Sequence, residues 1–328
     1  MKKFLSMILC VCLLLSLCGC KGGCYESGGE GLDIVTTVFP AFDFAREIAG
    51  DKANVCLLVP PGSESHSFEP TAQDILRIQN CDLLICNGGE SEVWMESILD
   101  GLEGQVPRLV MLECVEALEE EVKAGMQVTG HNHEEEAHDG HDEHDHEGHD
   151  EQAEYDEHVW TSPKNAALIS QAIGEALESI DPKNGAYYAQ RTEDYCRKLL
   201  DLDEGFRWLA ESAGHPTMIF ADRFPARYFV EEYGLDYYAA FLGCAEEAEP
   251  SARTVAFLID KVRQEQVPAV FYIEFSNQKM ADVICEDTGC RKLLFHCCHN
   301  VSRQQLDEGI SYLQLMELNL NTLREVLG

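Results

Sequence analysis

Asp33-Ile34-Val35-Thr36-Thr37-Val38-Phe39-Pro40-Ala41-Phe42-Asp43-Phe44-Ala45-Arg46-Glu47-Ile48-Ala49-Gly50 decides the fold class. Residues 33–39 are apolar and β-branched, the composition of a strand, and the run stops at Pro40. Phe42, Ala45 and Ile48 then recur at helical spacing until Gly50 ends the pattern. A strand that feeds directly into a helix is the unit from which α/β folds are built, and here it repeats.

Residues 54–59 give the strand signal again, Pro60-Pro61-Gly62 breaks it, and Thr71 with Asp74 reads as the cap of a helix through Ile75 and Ile78. Residues 82–86, a helix over 91–99 and a strand at 108–112 complete four strands of a first half. After Pro163 a helix reaches Ile180, and Asp181-Pro182 marks a new start, with Asp as cap and Pro in the first turn. Tyr188, Thr192, Tyr195, Leu199, Leu202, Phe206 and Leu209 are spaced by alternating fours and threes. They form one stripe on a helix over residues 183–213, roughly 45 Å long at 1.5 Å per residue. The heptads stop too soon for a coiled coil.

A second strand-helix series follows, with strands at 217–220, 236–241, 269–274 and 292–295. The expected architecture is α/β and two-lobed: an amino-terminal lobe over 32–182, a carboxy-terminal lobe over 214–328, each with a four-stranded parallel sheet, joined by one long rigid helix. Open parallel sheets bind ligands beyond the carboxyl ends of their strands. His66, His158, Asp222, Glu274, His296 and His299 all fall at or near such ends.

Acidic residues outnumber basic ones 59 to 24, for a net charge of -35. That balance excludes nucleic acid and anionic lipid as partners and concentrates cations at the surface. Much of the charge lies in residues 131–157, which also hold seven histidines: His131, His133, His138, His141, His144, His146 and His149. Imidazole beside carboxylate is what a borderline divalent cation seeks. Such a tract buries too little apolar surface to fold and has no fixed geometry, so its sites are loose ones. His158 follows nine residues after His149.

Met1-Lys2-Lys3 and the apolar run over 4–18 read as a signal peptide covering residues 1–19. Leu17-Cys18-Gly19-Cys20 resembles a bacterial lipobox, in which cleavage leaves Cys20 as a lipidated amino terminus. Gly22, Gly23, Ser27, Gly28 and Gly29 give residues 20–31 the composition of a flexible tether. The fifteen cysteines are scattered over a chain long enough to be stable without staples. An odd number follows Cys20, so at least one is unpaired, metal-bound or bonded elsewhere. Cys285 with Cys290, and Cys297 with Cys298, read equally well as packing residues.

Two segments carry a family resemblance that extends over nearly all of the mature chain. Pro60-Pro61-Gly62-Ser63-Glu64-Ser65-His66-Ser67-Phe68-Glu69-Pro70-Thr71 and Glu157-His158-Val159-Trp160-Thr161-Ser162-Pro163 resemble the two metal-histidine segments of the zinc and manganese substrate-binding lipoproteins of bacterial ABC importers. The histidine-rich loop just before the second segment is similar to that of the zinc-specific, ZnuA- or AdcA-like members. The resemblance implies ligands at His66 and His158. It places a third ligand shortly before Tyr228-Phe229 and Tyr233-Gly234-Leu235, where a gapless alignment meets Arg223, which cannot bind a cation; Asp222 is the adjacent carboxylate. The fourth, an Asp in relatives, falls in Phe295-His296-Cys297-Cys298-His299-Asn300, where His299 is preferred and His296 comes second. Glu274 is a ligand, an orienter of an imidazole or a salt-bridge partner of Lys279.

The expected function is therefore a monomeric, extracytoplasmic, lipid-anchored receptor that captures Zn2+ between two lobes and delivers it to an ABC permease, without chemistry on the ion. A manganese or iron receptor of the same family is the alternative within the class, favoured by sites rich in carboxylate oxygen, and nickel also accepts imidazole. A zinc-dependent hydrolase is the alternative outside it. No His-Glu-x-x-His and no nucleophile elbow support that reading, and Glu274 is its only candidate base.

Overall fold

A computed structural model of the chain describes residues 25–29, 31–65, 68–102, 104–127, 154–214, 216–245 and 249–327. The first sheet has the order β1-β3-β2-β4-β5, built from β1 (Tyr25–Glu26), β2 (Leu32–Thr36), β3 (Ala53–Leu57), β4 (Leu83–Cys86) and β5 (Arg108–Val110). The last four are parallel, as expected. The extra strand β1 runs antiparallel to β3, with Tyr25 opposite Leu57 and Glu26 opposite Cys56. It arises inside the segment read as a tether, because two residues are too few to show a period of two. Cys56 is disulfide-bonded, and nine other described cysteines are free thiols.

Helix α1 (Phe39–Ala49) carries Pro40 in its first turn, where its missing N–H costs nothing, and buries Phe39, Phe42, Ala45 and Ile48. Helix α2 (Ala72–Asn80) opens on a full capping box between Thr71 and Asp74, and α3 (Val93–Gly101) follows β4. Ser162 caps α4 (Pro163–Ile180). Asp181 then departs from its expected role. It precedes a single 3-10 turn, Pro182–Asn184, without capping it. Its carboxylate instead accepts from Asn184 Nδ2 at 2.6 Å and from the Tyr188 hydroxyl at 2.9 Å, fastening the first turn of the next helix.

That helix, α5 (Gly185–Ser212), has 28 residues and spans about 42 Å. All seven residues of the predicted stripe are buried, together with Asp203, which accepts from the Tyr233 hydroxyl at 2.8 Å. The second sheet contains β6 (Thr217–Phe224), β7 (Asp236–Leu242), β8 (Ala269–Tyr272) and β9 (Arg291–Leu294), all parallel, in the order β7-β6-β8-β9. Its helices are α6 (Arg227–Tyr233), α7 (Ala252–Glu265), α8 (Lys279–Thr288), α9 (Arg303–Asp307) and α10 (Tyr312–Leu327), the last packed along α5.

One hydrophobic cluster passes through both halves. It includes Ile34 and Phe42 from the first lobe, Phe206 and Leu209 from α5, and Phe220 and Phe295 from the second. Close-packed interiors resist shear, so lobes that share a core tilt against each other only slightly.

Candidate metal centre

His158 is placed by ties on both sides of it. The Asp156 amide bonds to the Leu118 carbonyl at 2.9 Å, and Asn87 Nδ2 donates to the Glu157 carbonyl at 2.9 Å. The Glu157 carboxylate accepts from the Ser91 amide at 2.8 Å and from its hydroxyl. From the second lobe, the Tyr228 hydroxyl donates to the Asp156 carbonyl at 2.8 Å. Gly243, just after β7, allows the close approach over the ring: a Cβ there would lie 3.0 Å from His158 Cε1 and 2.9 Å from the Phe224 carbonyl oxygen.

Asp156 Oδ1 accepts the His158 amide at 2.8 Å and lies 3.1 Å from Nδ1. A carboxylate on Nδ1 holds the proton there and puts the lone pair on Nε2, the arrangement found behind metal-binding histidines. Burial of the 1 % exposed ring would pull its pKa down, but the Asp156, Glu157 and Glu120 carboxylates outweigh burial and raise it above 6.5.

His299 comes from the loop after β9, opposite the loop after β8. Each loop turns through a left-handed non-glycine residue, Phe275 at φ 61° and Cys298 at φ 61°. Such residues persist only where surrounding contacts hold them, and they gather at functional sites. Here the holder is Glu274, whose carboxylate accepts the Cys297 amide at 2.8 Å, the Cys297 thiol at 2.7 Å and the His299 amide at 3.1 Å. Trp160 spans the two lobes, donating from Nε1 to the Cys297 carbonyl at 2.8 Å, with its ring 5.6 Å from that of His158 and 5.5 Å from that of His299.

The two imidazoles thus meet with ring centroids 5.5 Å apart and their planes at 86°. Two imidazoles on one tetrahedral zinc, with Zn–N bonds of about 2.0–2.1 Å, have centroids about 5.2 Å apart. The observed separation is within a few tenths of an ångström of that value, while His299 Nε2 is engaged by the Ser65 hydroxyl. Both rings line a cavity of about 20 Å³, room for a single ion or water, together with Glu64, Arg223, Glu274 and Cys297. Three contacts dock the 60–65 loop onto the second lobe at this point. The Ser65 hydroxyl meets His299 Nε2 at 2.5 Å, and Arg223 forks onto both oxygens of Glu64 at 3.0 and 3.2 Å. Asn300 Nδ2 donates to the Pro60 and Ser63 carbonyls at 2.8 Å each.

His158, His299 and Glu274 are brought together; His296 lies behind Glu274, its Nδ1 3.5 Å from the Glu274 carboxylate but outside the cavity, and Asp222 lies elsewhere. A bulge in β6 inserts one extra residue between Phe220 and Arg223, which pair with Ala239 and Phe241. Bulges re-aim side chains. This one lets Arg223 reach the cleft, whereas Asp222 lines only a neighbouring cavity of about 360 Å³ that Arg223 also borders; its carboxylate accepts the Arg223 amide at 2.9 Å and is raised in pKa by burial. His296 is 4 % exposed, with Nδ1 accepting the Cys298 amide at 3.0 Å and its backbone bonded to Asn319. His66, Cys20 and the tract histidines His131, His133, His138, His141, His144, His146 and His149 lie outside the described residues. Among the described residues no group of three His, Cys, Asp or Glu side chains forms a metal site. Glu64, Ser65 and Trp160 fall inside the quoted motif segments, but their roles and that of Arg223 had no local signal, since each acts through a partner 137 or more positions away.

A family described as zinc-uptake complex component A, periplasmic, matches residues 34–326. The high-affinity zinc uptake system protein ZnuA of Bacillus subtilis is 32 % identical over 317 residues, covering 96 % of this chain and 94 % of its own length. The zinc-binding lipoprotein AdcA of Streptococcus pneumoniae is 27 % identical over 99 % of the chain, which spans 61 % of AdcA. Among solved structures, the metal-dependent lipoprotein YcdH of Bacillus subtilis aligns with a TM-score of 0.72 at 27 % identity, covering 90 % of this chain and 99 % of the other. The Zn(II)-bound ZnuA-like domain of Streptococcus pneumoniae AdcA aligns at 0.71 and 25 % identity, covering 91 % and 99 %.

Proposed function

The chain belongs to the periplasmic zinc-uptake component A family, and from that premise we propose that it is an extracytoplasmic receptor that captures Zn2+ between its lobes and hands it to the permease of an ABC importer. The observation that carries the reading is the His158–His299 pair, two imidazoles from opposite lobes whose ring centroids lie 5.5 Å apart, close to the separation of two imidazoles on one zinc ion. Asp156 orients the first ring and Glu274 holds the loop that bears the second. Ser65 rests on His299. We assign His66, the next residue in sequence, as the third imidazole donor on the segment's resemblance to the family.

The role needs no reaction. Glu274, the base that a hydrolase would require, is already engaged by two amides and a thiol, which leaves that alternative without its key group. Among the described residues no helix is long and apolar enough to cross a membrane. Attachment is assigned to a lipid on Cys20 from the lipobox resemblance of Leu17-Cys18-Gly19-Cys20, with the folded part working as an extracytoplasmic monomer at the cell membrane. Competition titration of the metal-free protein against a chelator tests the cargo: zinc should bind one-to-one and outcompete manganese, and tighter binding of manganese would sink the zinc assignment.

A further inference from the structure

Given the receptor reading above, on which this rests, we propose that Arg223 is a specificity-determining positioning residue: its ion pair with Glu64 withholds that carboxylate from the cargo, keeps the donor set rich in nitrogen and so favours zinc over manganese. Two carboxylates line the cavity beside His158 and His299, namely Glu64 and Glu274. Glu274 is committed to the Cys297 and His299 amides. Glu64 has both oxygens taken by Arg223, one by each terminal nitrogen, in the fork-to-fork geometry that makes such pairs strong and directional.

Oxygen donors suit manganese and imidazole suits zinc, so the fate of a carboxylate at the cleft bears directly on which ion is held. A guanidinium stays charged and offers no lone pair. Arg223 therefore contributes nothing to coordination itself, yet it decides what Glu64 can do. The two side chains are 11 % and 32 % exposed, sheltered enough for the pair to persist at physiological salt. Glu64 has a reciprocal task, because an unpaired guanidinium beside a divalent cation would repel it. The bulge in β6 makes the arrangement possible by turning Arg223 rather than Asp222 toward the cleft.

This arrangement predicts opposite effects from the two halves of one ion pair. Zinc chloride and manganese chloride are titrated in competition with a fluorescent chelator into the full chain, as wild type, Arg223→Gln, Glu64→Gln and the double variant. Arg223→Gln frees a carboxylate and should raise manganese affinity relative to zinc about tenfold or more. Glu64→Gln leaves a bare guanidinium and should weaken both metals about tenfold without changing their ratio. The double variant removes both charges, so no unpaired charge remains buried to disturb folding, and the ratio should return to within about threefold of wild type. An unchanged ratio in Arg223→Gln, or a ratio shifted equally by Glu64→Gln, overturns the proposal while leaving the receptor reading intact. A wild-type protein that binds neither metal one-to-one overturns the receptor reading, and the proposal falls with it.

Discussion

His158 is held from behind by Asp156 at Nδ1 and from the side by Trp160, so the ring is oriented before any ion arrives. Pre-set ligands bind tightly because little ordering is left to be done at capture. Replacing the orienting carboxylate should therefore cost affinity without removing a donor: Asp156→Asn is expected to weaken zinc about 10- to 100-fold, read by chelator competition. The same substitution has a pH signature. Metal requires the neutral ring, and His158 titrates above 6.5 because neighbouring carboxylates outweigh burial. Zinc affinity in the wild type should then begin to fall while the pH is still above 6.5, and Asp156→Asn should move that fall to lower pH. A pH midpoint that does not move in the variant would contradict the orienting role.

The elements were legible where punctuation and periodicity coincide. Pro40 and Gly50 bracket α1, the Thr71-Asp74 pair opens α2, and the Tyr188 to Leu209 stripe is the buried face of α5. What escaped was either very short, as with β1, or depended on a distant partner, as with Asp181, whose carboxylate serves Tyr188 rather than its own turn. The packing of α4 on α5 illustrates such a partner. Gly174 of α4 lies against Thr192 of α5, and a Cβ there would fall on the Thr192 Oγ1 and 2.9 Å from its Cγ2. Overpacking of this kind costs about 1–3 kcal/mol, against about 1 kcal/mol gained from the better helix propensity of alanine. Gly174→Ala should therefore destabilise the fold by up to about 2 kcal/mol, and denaturant unfolding that shows a gain would refute the close approach of the two helices.

For the molecule as a whole, a net charge of -35 draws cations to the surface, and the seven histidines in residues 131–149 add loose donors that are distinct in sequence from the residues lining the cleft. Loose ligands exchange quickly and a caged ion slowly, so the two parts are expected to differ in affinity as well as in place. Deleting residues 131–149 should leave one tight zinc equivalent and remove the weaker ones in a calorimetric titration; loss of the tight equivalent would mean that the tract, not the cleft, is the site. Of the cleft, His158 and the loop bearing His299 could be read from the chain, because a motif and a strand end marked them. Arg223 facing the cargo in place of Asp222 could not, because a one-residue bulge decides it and no local pattern encodes that bulge. The central claim is that one zinc ion sits between the lobes on imidazoles from both. The most direct measurement is an anomalous difference map at the zinc edge from crystals grown with one equivalent of zinc. It should show a single strong peak about 2.0–2.1 Å from a ring nitrogen of His158 and of His299. A strong peak elsewhere with none between these two rings would contradict the account.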